Sequence, residues 1–160
     1  MADRKLFYIV LCLLVMVSCK KSSELVPENS LEKDTQNLKR IFRVLDRLGA
    51  NMDSTMDLFS DDLVHIAQGS RAITNKTDLR KILERESSYG ETKMVHELIS
   101  IHSYPDMVLT RGSAKGTWTA PGGDAVRFET NNIITFHREK DGSLKIWQVI
   151  FNRVNLENYH

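Results

Sequence analysis

Met107-Val108-Leu109-Thr110-Arg111-Gly112-Ser113-Ala114-Lys115-Gly116-Thr117-Trp118-Thr119-Ala120 is the stretch on which the fold turns. It has the length and the β-branched content of a strand, and Pro121-Gly122-Gly123 supplies the turn that ends it. Thr110, Gly112, Ala114, Gly116 and Trp118 fall on one face. Such a row of small side chains lets a sheet bend or a helix come close. Three more extended stretches surround it, Met94 to Ser103, Ala125 to Arg138 and Leu144 to Val154. Pro105-Asp106 and Lys140-Asp141-Gly142 carry the turn chemistry between them, and helical period is absent after Gly90.

Toward the amino end the pattern is helical. Leu38, Ile41, Phe42, Leu45 and Leu48 recur at three and four residues, with Gly49 suited to a left-handed helix end. Met52, Met56 and Phe59 form a shorter second stripe before Ser60-Asp61-Asp62, and Leu63 to Ile66 reads as a strand. A third helix opens at Asn75-Lys76-Thr77-Asp78 with Leu79, Ile82 and Leu83 as its buried edge. Asn75 or Thr74 caps it; Asn-Lys-Thr also fits a glycosylation sequon, but the cap is preferred. Three helices followed by a meander of long antiparallel strands give an α+β domain over residues 31–160.

The first eighteen residues read as a signal and not as part of the fold. Leu6 to Val17 is almost wholly apolar, follows Arg4-Lys5 and is followed by Ser18-Cys19-Lys20-Lys21. Twelve apolar residues are too few for a bilayer-spanning helix, which takes roughly 20, whereas a basic start, a short apolar centre and a small residue before the cut make an export signal. Met16-Val17-Ser18-Cys19 resembles the lipidation motif of bacterial lipoproteins. That resemblance implies a signal over 1–18, a lipidated Cys19, a tether over 19–30, and a domain held on the periplasmic side of a bacterial membrane in the cell envelope. An ordinary cleaved signal and an uncleaved anchor are the alternatives.

Charge and cysteine content narrow the function further. The 22 Lys+Arg nearly balance 21 Asp+Glu, and losing Arg4, Lys5 and Asp3 with the signal makes the balance even. Nucleic acid is therefore not an expected partner, because its binding rests on basic phosphate contacts. Cys12 leaves with the signal and Cys19 carries lipid, so neither disulfide nor thiol nucleophile is expected.

Met56-Asp57-Leu58-Phe59-Ser60-Asp61-Asp62-Leu63-Val64, then Thr74 to Leu79, Arg127-Phe128-Glu129-Thr130 and Asp141-Gly142-Ser143-Leu144-Lys145-Ile146 resemble, by order and spacing, the NTF2-like superfamily and its SnoaL-like branches. The resemblance covers about Leu31 to Val154. It implies a cone, in which three helices pack on a strongly curved antiparallel sheet, with a pocket at the open end and dimerisation through the sheet. In the ketosteroid isomerase-like members a carboxylate base lies just after the first strand. Here that place is Ile66-Ala67-Gln68, which has no acid.

Polar residues that interrupt apolar faces are the candidates for a site. Asn132 shares a face with Phe128, Ile134 and Phe136; Gln148 lies between Ile146 and Ile150; Asn152 lies between Ile150 and Val154. A buried amide without a partner costs about 1 to 3 kcal/mol, so each needs a neighbour, a water or a ligand. Trp118 is a candidate pocket floor, or plain core. His65 alternates with Val64 and Ile66, either as a general base near neutral pH or as a satisfied or exposed strand histidine. Glu97 and Glu129 sit on strands and suit the convex face as well as a pocket. His96 and His102 share a face but lie too far apart for one metal, and no zinc or iron spacing is present.

The last strand is apolar on both faces, Ile146 and Ile150 on one and Trp147, Val149 and Phe151 on the other, which suggests a second face covered by a dimer or a terminal segment. The expectation is thus a membrane-anchored receptor that binds a small, largely apolar ligand through His65, Trp118, Asn132, Gln148 and Asn152, as a homodimer, with no cofactor and no catalysis. The alternatives are a SnoaL-like isomerase, cyclase or hydratase with His65 or Glu129 as base, and a dimeric structural module joined through Trp147, Val149 and Phe151.

Overall fold

The computed structural model describes residues 28–47 and 50–154. The signal, Cys19, the tether up to residue 27, Leu48 with the Gly49 helix end, and residues 155–160 lie outside the described residues. Helix α1 (Glu28–Leu45) starts three residues earlier than the apolar pattern indicates and buries Leu38, Ile41, Phe42 and Leu45. Helix α2 (Met52–Met56) is a single turn capped by the Asn51 side chain, which accepts from Ser54 N. Phe59, expected on that helix, instead begins β1 (Phe59–Ala67). Helix α3 (Lys76–Tyr89) is capped by Asn75 accepting from Asp78 N and buries Leu79 and Leu83, in agreement with the sequence.

The four long strands follow, β2 (Glu91–Ser103), β3 (Met107–Thr119), β4 (Ala125–Arg138) and β5 (Leu144–Arg153). They form one sheet in the order β1-β5-β4-β3-β2. Neighbours among β2 to β5 are antiparallel, but β1 runs parallel to β5, so the sheet is mixed and not wholly antiparallel as expected. A helix and three strands separate β1 from β5 in the chain, which is the long crossover that parallel pairing requires.

All three helices contribute to a core on one face of the sheet, where they meet Val108, Ile134, Phe136, Leu144 and Ile146. Opposed residues of neighbouring strands share a face, so the inner rows can be traced across the sheet. One row is His96, Ala114, Thr130 and Arg153; the next is Leu98, Gly112, Asn132, Phe151 and Ala67; a third is Ile101, Thr110, Ile134, Val149 and His65.

Two irregularities decide which side chains reach that face. Pairing jumps from Leu98 to Ser100 on β2 and from Ile146 to Gln148 on β5, so Ile99 and Trp147 are the extra residues. A bulge of one residue reverses inside and outside beyond it. Past Trp147, therefore, Val149 and Phe151 turn inward, while Gln148, Ile150 and Asn152 turn outward.

The close contacts at the β3 glycines are with the neighbouring strand β2 and not with a helix. A Cβ on Gly112 would stand 2.4 Å from the carbonyl oxygen of Glu97, and one on Gly116 would stand 2.1 Å from that of Lys93.

At one end of the sheet Asp34 of α1, fully buried, meets Arg138 of β4 in a two-pronged pair, Nη1 to Oδ1 at 2.6 Å and Nη2 to Oδ2 at 2.8 Å. Ser103 of β2 also donates to Asp34, and Arg138 donates to the Tyr104 carbonyl at 3.2 Å. This knot ties the first helix to two strands. Burial pushes the Asp34 carboxyl up, but hydrogen bonds from Arg138 and Ser103 and the charges of Arg138 and Lys33 outweigh it and leave it below the usual carboxylate range.

Candidate functional site

The concave face divides the expected site residues sharply. Asn132 is 7% exposed and stands beside Gly112, whose hypothetical Cβ would be 3.2 Å from its Oδ1. Thr110 and Thr130 on the same face donate to the carbonyls of Ile134 and Ala114, at 3.2 and 3.5 Å. Asn132 has no such outlet: its carboxamide makes no hydrogen bond with another described residue. Directly opposite Asn132 on β5 is Phe151, and the His65 ring meets Phe151 edge-on, with centroids 5.5 Å apart at 68°. His65, Phe151 and Asn132 therefore form one cluster.

The backbone of His65 is held on both sides, by β5 and by two hydrogen bonds with Ile73 at 2.8 and 2.9 Å. Its Nδ1 is sealed from solvent and without a partner. Burial pushes the imidazole below its usual range, which keeps it neutral. A sealed lone pair is tolerated better than a sealed N–H, so the proton belongs on Nε2. In that form His65 offers a donor.

The remaining expected residues are elsewhere. Gln148 pairs with Thr135 and Asn152 with Asn131, all on the convex face. The bulge at Trp147 put them there; the unbroken alternation read from the sequence had them inside. Trp118 does face inward, over Gly90, where a Cβ would be 2.8 Å from its indole Nε1. It is nevertheless six residues along β3 from Gly112, roughly 20 Å at the rise of a strand, and does not floor the Asn132 cluster. Glu129 and Glu97 are convex, with Lys115 Nζ between them at 3.7 and 3.4 Å. Neither carboxylate enters the concave side.

His102, past the Ile99 bulge, is also convex, so it does not share a face with His96 after all. The expected apolar pairing surface of Trp147, Val149 and Phe151 is broken up as well. Trp147 stacks on His137 at 4.2 Å, and the other two are internal. On the convex face Ile133 and Ile150 are adjacent across β4 and β5 and each 46% exposed, and Val95 of β2 is exposed there as well.

One feature had no sequence signal. Asp46, just past α1, accepts the backbone N–H of His96 at 3.0 Å and faces the His96 ring nitrogen Nδ1 at 2.7 Å through the same oxygen, Oδ1. The His96 ring lies flat on Phe42, with centroids 5.1 Å apart and planes within 5°. Their side chains are 11% and 25% exposed for His96 and Asp46. Asp46 also lies on the wall of a groove of about 730 Å³, bounded by Ala50, Ser87, Gly90, Thr92 and Thr119 among others. Fifty residues separate the pair in the chain, so only the fold joins them.

Among the described residues no three His, Cys, Asp or Glu side chains gather as a metal site, and no helix is long and apolar enough to cross a membrane.

No protein-family model matches the chain, and no curated protein matches it in sequence. Solved structures do. A ketosteroid isomerase-like protein from Erwinia carotovora atroseptica SCRI1043 superposes with a TM-score of 0.67 at 15% identity, over 76% of this chain and 93% of that one. A conserved protein from Planctomyces limnophilus DSM 3776 gives 0.67 at 14% identity, over 77% and 98%. A candidate dehydratase of the NTF2-like family from Streptomyces avermitilis gives 0.66 at 13% identity, over 81% and 99%.

Proposed function

We propose that this chain, whose fold is NTF2-like, is a receptor for a small, largely apolar molecule that sits against the concave face and is bound without being transformed. The observation that carries this reading is the Asn132 carboxamide, nearly buried among Ile134, Phe151 and Gly112 and without a hydrogen-bond partner among the described residues. Its amide atoms are not sealed as His65 Nδ1 is, so they remain open to a molecule that approaches the concave face. A ligand with one polar group takes up that hydrogen-bonding capacity, and the apolar wall around it takes up the rest of the molecule. His65 offers a second donor beside Phe151. Native mass spectrometry of the protein from its own host tests the reading: a retained small apolar molecule supports it, and a protein that stays at its sequence mass even after exposure to host extract overturns it.

We place this receptor on the periplasmic side of a bacterial membrane, tethered through a lipidated Cys19, on the strength of the apolar run and the Ser18-Cys19 junction. Cys19→Ala is expected to release the protein from the membrane fraction; unchanged partitioning removes the anchor. A homodimer through the convex face, centred on Ile133 and Ile150, accounts for two adjacent exposed isoleucines on a sheet.

A second reading is proton transfer. The His96–Asp46 pair favours it, since a histidine oriented by a carboxylate is the usual form of a side-chain base. In that case the base is His96, not His65 or Glu129, and His96→Gln abolishes turnover of whatever the host supplies.

A further inference from the structure

The Asp46 contact fixes more than the position of His96. Oδ1 already accepts the His96 backbone N–H at 3.0 Å, and the ring nitrogen Nδ1 faces that same oxygen at 2.7 Å. A carboxylate oxygen used twice in this way accepts both times, so Nδ1 carries the ring proton. In the neutral imidazole Nε2 is then a bare lone pair. The stack on Phe42 holds the ring plane, and Nε2 makes no hydrogen bond with another described residue. His96 lies on the inner face opposite Ala114, one row from Gly112 and Asn132.

We infer that Nε2 of His96 is the acceptor for a hydroxyl group on the molecule held in the cone, so that the ligand is a hydroxyl-bearing apolar compound such as a phenol or a hydrophobic alcohol, and not a pure hydrocarbon, ether or ketone. This rests on the receptor reading above. The two ends of the site then differ in sense. Asn132 and His65 can each donate, whereas His96 can only accept while its ring is neutral. A ligand with a carbonyl alone satisfies the first end and leaves His96 unpaired; a hydroxyl serves His96 directly. Asp46 acts as a positioning residue, because it touches the ring and sets its tautomer.

The test compares 2-naphthol with 2-methoxynaphthalene, which differ in that the second cannot donate, against the full-length protein by titration calorimetry. Wild type is expected to bind 2-naphthol about tenfold more tightly or better, the scale of one well-placed hydrogen bond in a desolvated site. Asp46→Asn and His96→Phe are expected to erase the preference, so that each variant binds the two compounds with the same affinity. Nitrogen-15 spectra of the wild-type protein supply a readout that does not depend on any variant folding. The His96 Nε2 resonance is expected at the unprotonated position and to shift with 2-naphthol but not with the ether. Equal binding of both compounds by wild type, a preference that survives in Asp46→Asn, or a proton found on Nε2 overturns the hydroxyl assignment and leaves the receptor standing. Failure of wild type to bind either compound overturns both.

Discussion

Burial of His65 has a consequence that titration can reveal. Desolvation disfavours its imidazolium in the folded protein, so the unfolded chain takes up the proton more readily. The corresponding stability is whole above about pH 6.5, the usual histidine value, and is lost as the pH falls below it, with a slope of at most about 1.4 kcal/mol per pH unit. Urea unfolding of wild type between pH 7.5 and 5.5 is expected to show that decline, and His65→Phe to flatten it; parallel curves would mean that His65 titrates as freely folded as unfolded. At this scale the sequence was a partial guide. Asn132 was legible because an amide within Phe128, Ile134 and Phe136 demands an explanation. His65 was legible as a candidate, but neither its burial nor its sense as a donor was, since the sealing of one ring nitrogen depends on the fold around it. Asp46 and His96 carried no sign of each other, because the contact is created by where α1 ends against β2.

At the scale of elements, the strands themselves were plain from composition and turn residues, and β4 spans the same residues, Ala125 to Arg138, as read from the chain. Their faces were not, because one extra residue at Trp147 or Ile99 inverts all that follows and leaves no mark in composition. Deleting Trp147 removes the extra residue, so Gln148 follows Ile146 in unbroken alternation and Val149 and Phe151 stay inward. Deleting Val149 instead is expected to turn Ile150 inward and Phe151 outward, and so to destabilise by more than deleting Trp147; similar urea midpoints for the two deletions would show that the bulge does not set the faces. The β3 glycines make a second test. Ala at Gly112 or Gly116 meets a neighbouring carbonyl oxygen well inside contact distance, while Ala at Gly123 meets nothing nearer than 3.5 Å. The first two changes are expected to cost about 2 kcal/mol or more and the third under about 0.5 kcal/mol.

For the molecule as a whole, the Asp34–Arg138 knot joins its first helix to its fourth strand across 104 residues. Because the folded carboxyl is held low, its contribution is complete above about pH 4 and disappears as the pH falls through the depressed value. Asp34→Asn leaves Arg138 buried and unbalanced, and is expected to cost about 3 to 5 kcal/mol at pH 7, with the gap to wild type narrowing at pH 3; a gap that does not change with pH would mean the pair is not ionised. Sedimentation addresses the convex face: Ile133→Lys with Ile150→Lys is expected to yield monomer where wild type is dimeric, and a wild-type monomer at all concentrations removes the proposed assembly. The α+β architecture was readable from the order of helices and strands, but the parallel seating of β1 was not, since a nine-residue apolar strand does not say which edge it joins. That seating has a consequence for biosynthesis. Among the described strands β1 pairs only with β5, so a nascent chain that has not yet reached Leu144 has no strand on which to lay residues 59–67. Emergence of β5, and not of the first half, starts the clock for closing this sheet, and a topology so dependent on distant partners belongs among the slower folders.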